Sequence, residues 1–507
     1  MNKHLLRTAL IVSYMVIIAV IIGGISSLFS YLNTGADRAS ILHTEIQKIN
    51  QYIPTVVWGS LQNEGRPMDA QTLSRLENNY LDAWYIKQRA YQSNSTEGIE
   101  DYYTENARKN LYETVAYNKA AGITIEATTL EHHPEIDFFS EDGQLIVLTD
   151  TDVVEYKRMY INNVFVLETK EVSTYKVLFL LEDGFWRIRH MIRENTKPYI
   201  EKQSTKLVND IPTKGINYYP QATPWDTFGE GFDTEILHKD FNILQDAGLQ
   251  SIRIFVPYED FGKANIHAEK LKKLEQTLDM AAQYDLKVMI TLFDFYGAYS
   301  VLDWTLNRRH AHTIVSQLKN HPALYGWDIK NEPNLDFESR GKQNVVAWLD
   351  MMTSFVKSID PQHPVTIGWS NAESAIILKD QVDVVSFHFY ENIDTLEEVY
   401  ASLQKEIPQK SIVLSEFGMS SYKGLWNPFG NSETAQEAYH KKAQTIFAKN
   451  KIPFMSWTLY DFAEIPTEVV GKLPWRKNNQ KRFGFIDDTG NKKPAFQYIS
   501  TNSKDSK

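Results

Sequence analysis

The hydrophobic rhythm of the chain changes three times. Residues 8–32 carry no charge and are mostly apolar. Between about 46 and 200, apolar residues first recur at helical spacing: Leu76, Tyr80 and Trp84 lie within 71–91, and the pattern resumes over 99–121. Strand-like alternation follows over 145–156, 164–169, 174–181 and 185–192, with Glu182-Asp183-Gly184 as a hairpin turn. Beyond residue 213, short apolar runs alternate with amphipathic stretches. The runs are 214–219, 251–256, 287–293, 325–330, 364–369, 382–389, 411–416 and 453–459, and helical candidates include 233–248, 267–285, 307–319, 343–358, 393–406 and 434–449. Strand–helix alternation is the signature of parallel βαβ units. Eight repeats over this length predict an α/β fold, a closed (β/α)8 TIM barrel. An open doubly wound sheet is the other architecture, but no glycine-rich phosphate loop follows the first strand.

The predicted organisation is a signal-anchor helix over 1–32, a tether over 33–45, a smaller α+β domain over 46–201, a linker over 202–212, the barrel over 213–500 and a polar tail over 501–507. A helix over 8–32, rising about 1.5 Å per residue, crosses a hydrocarbon core of about 30 Å. Lys3 and Arg7 precede it, so the positive-inside tendency predicts a single-pass membrane protein with its domains outside the cytoplasm and the lipid bilayer as partner of residues 8–32. A signal peptide cut near Gly24 and Ser26 is the rival reading.

Composition narrows the function. The 507 residues are 43% hydrophobic and 12% aromatic, enough for sizeable cores. A net charge of -11 without a long basic block argues against nucleic acid as a partner. The absence of cysteine excludes disulfides, thiolate metal sites and thiol catalysis.

In a (β/α)8 barrel the chemistry is built just past the carboxyl ends of the strands. Two apolar runs drive into a glutamate there: 327–333 ends on Asn331-Glu332-Pro333, and 411–418 carries Glu416. Two facing carboxylates are the minimum machinery for cutting a glycosidic bond. Other strand ends contribute Asn217 and then Trp225, Arg253, Asp294, His388 with Tyr390, and Trp457. Arg253 suits holding a carboxylate ionised, with a purely structural ion pair as its other reading. Trp457 offers a flat apolar face to a pyranose, Trp225 is either a platform or packing, and Asp294 is a substrate ligand, a helix cap or a supporting group. No second histidine stands at ligand spacing from His388, and His310 and His312 sit at i, i+2, so no metal and no cofactor are expected. A rim segment over 461–482 holds Trp475 and the basic Lys472, Arg476, Lys477, Lys481 and Arg482. A solvated loop is the plain reading of that cluster, and reception of an acidic glycan the sharper one.

Taken together, Asn331-Glu332-Pro333 after strand 4, Glu416 ending strand 7, Arg253 in strand 2, His388-x-Tyr390 at strand 6 and Trp457 at strand 8 resemble the clan A glycoside hydrolases. They stand nearest to the cellulase and mannanase-like enzymes of family 5. The resemblance covers about 213–499 and implies a retaining β-glycosidase, with Glu332 as acid/base, Glu416 as nucleophile and Asn331 donating to the sugar 2-hydroxyl. Those roles require the Glu332 carboxyl to titrate high and the Glu416 carboxyl low. The chain departs from the family pattern at strand 3, where a histidine is common and Thr291-Leu-Phe-Asp294-Phe295 stands instead. The implied substrate is a poly- or oligosaccharide, with transglycosylation or non-catalytic glycan scaffolding as alternatives. Residues 46–201, closing on Gly184-Phe-Trp-Arg-Ile-Arg-His190, resemble NTF2-like domains, for which a spacer or docking role toward envelope or exopolysaccharide machinery is expected.

Overall fold

A computed structural model of the chain describes residues 52–199, 211–424, 427–470 and 473–500, with six helical residues between Tyr14 and Ile21. The expected membrane segment and tether lie almost wholly outside the described residues, as do the linker up to residue 210 and the tail. Among the described residues no helix is long and apolar enough to cross a membrane.

The first unit is α+β. Helix α1 (Ala70–Ser93) starts where the Asp69 side chain accepts from Thr72 N and stops at left-handed Asn94. It buries Leu76, Tyr80, Ala83 and Trp84, spaced to form one apolar face. Helix α2 (Glu105–Ala121) follows and ends on Gly122, whose φ of 65° suits glycine. Four long antiparallel strands follow, β2 (Ile123–Phe139), β3 (Leu145–Ile161), β4 (Val164–Glu182) and β5 (Phe185–Pro198), and the short β1 (Thr55–Val56) pairs in parallel with β2. Two features depart from the sequence reading. Strand β2 was not expected, because Thr, Glu, His and Pro dilute its alternation; it is held by pairing with β3 along nearly its whole length. The two runs 164–169 and 174–181 are one strand, since the polar stretch between them pairs with both β3 and β5.

The second unit is the eight-stranded barrel that the rhythm predicts. Strands β6 (Lys214–Asn217), β7 (Ser251–Pro257), β8 (Lys287–Asp294), β9 (Leu324–Asn331), β10 (Val365–Trp369), β11 (Val385–Phe389), β12 (Ile412–Phe417) and β13 (Phe454–Ser456) are parallel, and β13 closes onto β6. Their residues are almost all buried, as expected for strands covered by helices outside and side chains inside. The first and last strands are shorter than their apolar runs. At the mouth, Asn217 Nδ2 donates to Ser415 O (2.9 Å) and Ser456 O (3.2 Å), and Thr458 Oγ1 donates to Asn217 O (2.7 Å), so side chains replace the last rungs of the ladder.

The two units share packing. Leu130, Val154 and Tyr156 belong to the barrel's core cluster, and Tyr156 lies with its ring centroid 4.2 Å from that of Trp304. Around this contact, Arg308 pairs with Glu131 (2.6 Å), Arg158 donates to Asn344 and Ile53 N donates to Thr305 Oγ1 (3.1 Å).

Candidate active site

The carboxyl ends of the strands surround a cavity of about 880 Å³. Glu332 and Glu416 line it, and a carboxylate oxygen of each, together with a ring nitrogen of His388, lie within 4.8 Å of one another. Glu332 follows β9 and takes a left-handed backbone (φ 47°, ψ 46°), which costs an L residue roughly 1–2 kcal/mol. Its N–H donates to Gly368 O at 2.7 Å, which ties this turn to β10.

The two carboxylates are dressed differently. Tyr390 Oη donates to Glu416 Oε1 (2.5 Å), and Arg253 Nη1 lies 3.4 Å from Glu416 Oε2. Glu332 Oε1 meets His388 Nδ1 at 2.9 Å. Burial pushes the Glu416 carboxyl up, and the negative charge of Glu332 adds to this, against the pull of His388, Arg253 and Tyr390. Burial also acts to raise Glu332, but the hydrogen bond and charge of His388, with Arg253 and Lys330, bring its carboxyl below the ordinary value. This is the opposite of the order expected from sequence, and the strongest lowering influence on Glu332 is its close hydrogen bond with His388, nearer than Arg253 stands to Glu416.

Arg253 is also placed otherwise than expected. Two of its bonds go to Asp328 Oδ2, from Nε (3.0 Å) and, the shortest of all, from Nη2 (2.5 Å), and others to Asn217 Oδ1 (3.0 Å) and Asn331 Oδ1 (2.9 Å). The guanidinium therefore braces the floor of the site as well as touching Glu416, combining both readings of this residue.

Residues 213–463 match the family model for cellulase, glycosyl hydrolase family 5. The barrel is a glycoside hydrolase domain. In sequence the chain is similar to the β-glucuronidases of Chlorocebus aethiops and Homo sapiens, each at 27% identity over 53% of this chain and 42% of theirs. It thus spans less than half the length of these curated relatives. Among solved structures, the exo-β-1,4-mannosidase of Opitutaceae bacterium strain TAV5 is similar at 17% identity, covering 59% of this chain and 61% of its own, with a TM-score of 0.49. The β-D-glucuronidase of Dictyoglomus thermophilum covers 70% of this chain and 67% of its own, at 19% identity and a TM-score of 0.43.

Around the glycoside hydrolase site, the structure brings all ten sequence-selected residues to one end of the barrel, in two layers. Glu332, Glu416, Asn331, Tyr390, Asp294, Trp225 and Trp457 line the cavity, while Arg253, Asn217 and His388 stand behind them with almost no exposure. Trp457 packs edge-on against Tyr219 (6.0 Å) and Phe255 (6.4 Å). Trp225 leans on Tyr219 (5.1 Å) and Phe462 (5.1 Å), so it is both wall and packing. Asp294 receives Tyr219 Oη at 3.4 Å, and burial pushes its carboxyl up to about 6, against the pull of Lys330 and Arg253.

Sequence reasoning missed Asp328, Gly368 and Lys330. Asp328 accepts from Arg253, from Thr291 Oγ1 (2.9 Å) and from Gly368 N (2.8 Å). Its signal was present: an acid inside an apolar strand, two positions before Lys330 on the same face. In the basic rim cluster, two of the described side chains are engaged locally. Arg482 pairs with Asp461 and Asp488, and Lys477 Nζ donates to Thr467 Oγ1, while Lys472 and the Trp475 side chain lie outside the described residues. Glu332, His388 and Glu416 stand close enough together to hold a metal ion, with His388 Nδ1 at 2.9 Å from Glu332 and the positive charge of Arg253 beside Glu416.

Proposed function

We propose that this chain is a membrane-anchored, extracytoplasmic retaining β-glycoside hydrolase acting on a poly- or oligosaccharide, with Glu332 as general acid/base and Glu416 as nucleophile. The observation that carries the reading is the closeness of the two carboxylates, whose oxygens approach within 4.8 Å. Retaining pairs stand about 5–5.5 Å apart, whereas inverting pairs stand about 6.5–9.5 Å apart to admit a water. The β configuration is the one on which the similar β-glucuronidases act by name.

In this reading Glu332 protonates the leaving oxygen as Glu416 attacks the anomeric carbon, and then takes a proton from the water that resolves the glycosyl-enzyme. Tyr390 and Arg253 hold Glu416 in line. Arg253 occupies Asn331 Oδ1, which leaves the Asn331 amide NH2 to donate to the sugar 2-hydroxyl. Trp457 offers its ring to the sugar. The acid role needs the proton on Glu332. With the proton on Glu332, its carboxyl O–H donates to His388 Nδ1.

The anchor over 8–32 and a docking role for an NTF2-like unit over 46–201 belong to the same proposal; they suit work on envelope or exported glycan. The test is substitution of each glutamate to alanine. Glu332→Ala and Glu416→Ala both abolish hydrolysis, and azide restores turnover of an activated β-glycoside by Glu416→Ala, giving an α-glycosyl azide. Full activity in either variant removes the assignment, and a product of inverted configuration from the wild type removes retention.

A further inference from the structure

One wall of the cavity carries charged groups that the double displacement does not use. Lys330 precedes Asn331 in β9, and its side chain is 7% exposed. Its Nζ donates to Asn331 O (3.3 Å) and lies 3.5 Å from Asp336 Oδ2, which also accepts from Tyr299 Oη (2.5 Å). Across from it, Asp294 ends β8 at 4% exposure, close enough to Lys330 for the lysine to pull its titration down. Lys330, Asp294 and Asp336 all line the cavity together with Glu332.

We propose that Asp294 and Lys330 form the sugar-reading wall of the reactive subsite, binding neighbouring hydroxyls of an uncharged glycose and excluding a uronate. This rests on the glycosidase reading above and names its substrate class. The chemistry is complementary: a carboxylate is an acceptor only and an ammonium a donor only, while a vicinal diol offers one hydroxyl that donates and one that accepts. Tyr219 connects this wall to the reactive end, with its hydroxyl 3.4 Å from Asp294 and its ring 6.0 Å from that of Trp457. Charge decides against an acidic sugar. Lys330 alone faces two carboxylates, Glu332 and Glu416 stand beside them, and Arg253 is spent on Asp328 and Glu416. Among the described residues the other cavity-lining cation, Arg340, sits exposed at the rim. A ring carboxylate at this wall meets net negative charge and is repelled.

The test uses the purified full-length chain and 4-methylumbelliferyl β-glycosides of glucose, mannose, galactose and glucuronic acid. The expected result is turnover of at least one neutral glycoside with kcat/KM at least 100-fold above that for the glucuronide. On the best glycoside, Asp294→Asn and Lys330→Met each lower kcat/KM at least 30-fold without shifting the melting midpoint. The 3- and 4-deoxy analogues of that glycoside then discriminate a binding role from a structural one. Wild type loses activity on at least one of them, and that loss shrinks below threefold in the matching variant. If Asp294→Asn does not fold, Lys330→Met with the same analogues decides. Preference for the glucuronide, or unchanged discrimination in the variants, overturns the inference alone when Glu416→Ala is inactive. No turnover of any glycoside by the wild type overturns the glycosidase reading and the inference with it.

Discussion

Arg253 and Asp328 form an ion pair with essentially no solvent exposure on either side chain, and two guanidinium nitrogens converge on one carboxylate oxygen. The pair lies beneath both glutamates, since the same guanidinium reaches Glu416 and Asn331. Every partner around Asp328 is a donor, so removing the carboxylate leaves the buried guanidinium only the more distant Glu416 as counter-charge, and breaking a buried pair costs about 3–5 kcal/mol. Asp328→Ala is therefore expected to lower the denaturation midpoint markedly and to abolish turnover. An unchanged midpoint removes Asp328 as the brace of the site.

Gly368 makes that arrangement sterically possible. A Cβ at this position would stand 2.6 Å from Arg253 Nη2, 3.1 Å from Asp328 Oδ2 and 3.4 Å from His388 Nε2. Gly368→Ala must push the guanidinium aside. Overpacking of this kind costs about 1–3 kcal/mol, while a displacement near 1 Å at a catalytic group costs on the order of 100-fold in rate. The expected variant folds and loses at least tenfold in kcat; wild-type kcat shows that the floor yields without consequence.

Tyr390→Phe removes a single hydroxyl, the one that donates to Glu416 Oε1. Tyr390 is 43% exposed, so little packing is lost with it. A hydrogen bond to a charged group contributes about 1.5–3 kcal/mol, which predicts a fall in kcat/KM of roughly 10- to 150-fold at unchanged melting temperature. Steady-state kinetics of the variant check this, and a fall below threefold means that Arg253 alone positions Glu416.

The positions of Glu332, Glu416 and their companions were legible because a barrel converts strand order into place. Counting eight apolar runs puts each run's last residue on one rim, whatever lies between. What the count does not contain is pairing. Arg253 reads as a partner for any nearby carboxylate, and its preference for Asp328 depends on two strands away in the barrel facing each other at the same depth. Gly368 was invisible for a similar reason: a missing side chain matters only once Arg253, Asp328 and His388 are seen around it. In the α+β unit, β2 escaped because its sequence, with Pro134 and two histidines, has weak alternation, and its partner β3 lies beyond a turn. The titration order of the two glutamates depends on which of them His388 approaches, and a strand count does not contain that contact with Glu332.

His440 gives the structure a defined sensitivity to acid. It is fully buried behind β12, with ring centroids 4.5 Å from Phe485 and 5.7 Å from Phe417, and neither ring nitrogen has a hydrogen-bond partner. Burial, with the positive charge of Lys493 added, pushes its titration down to about 3 from the ordinary 6.5. The folded chain therefore holds His440 neutral where the unfolded chain protonates it. Its contribution is fully present above pH 6.5 and is lost as pH falls from 6.5 toward 3, by at most about 1.4 kcal/mol per pH unit. His440→Phe keeps the aromatic packing and removes the proton site. Relative to the variant, the wild-type melting temperature should drop progressively between pH 6.5 and 4, and the difference should be flat above pH 7. Parallel curves across that range mean that the imidazole finds a partner when protonated. Because Phe417 directly follows Glu416, a wild type weakened in this way should also lose activity irreversibly on acid incubation sooner than His440→Phe does.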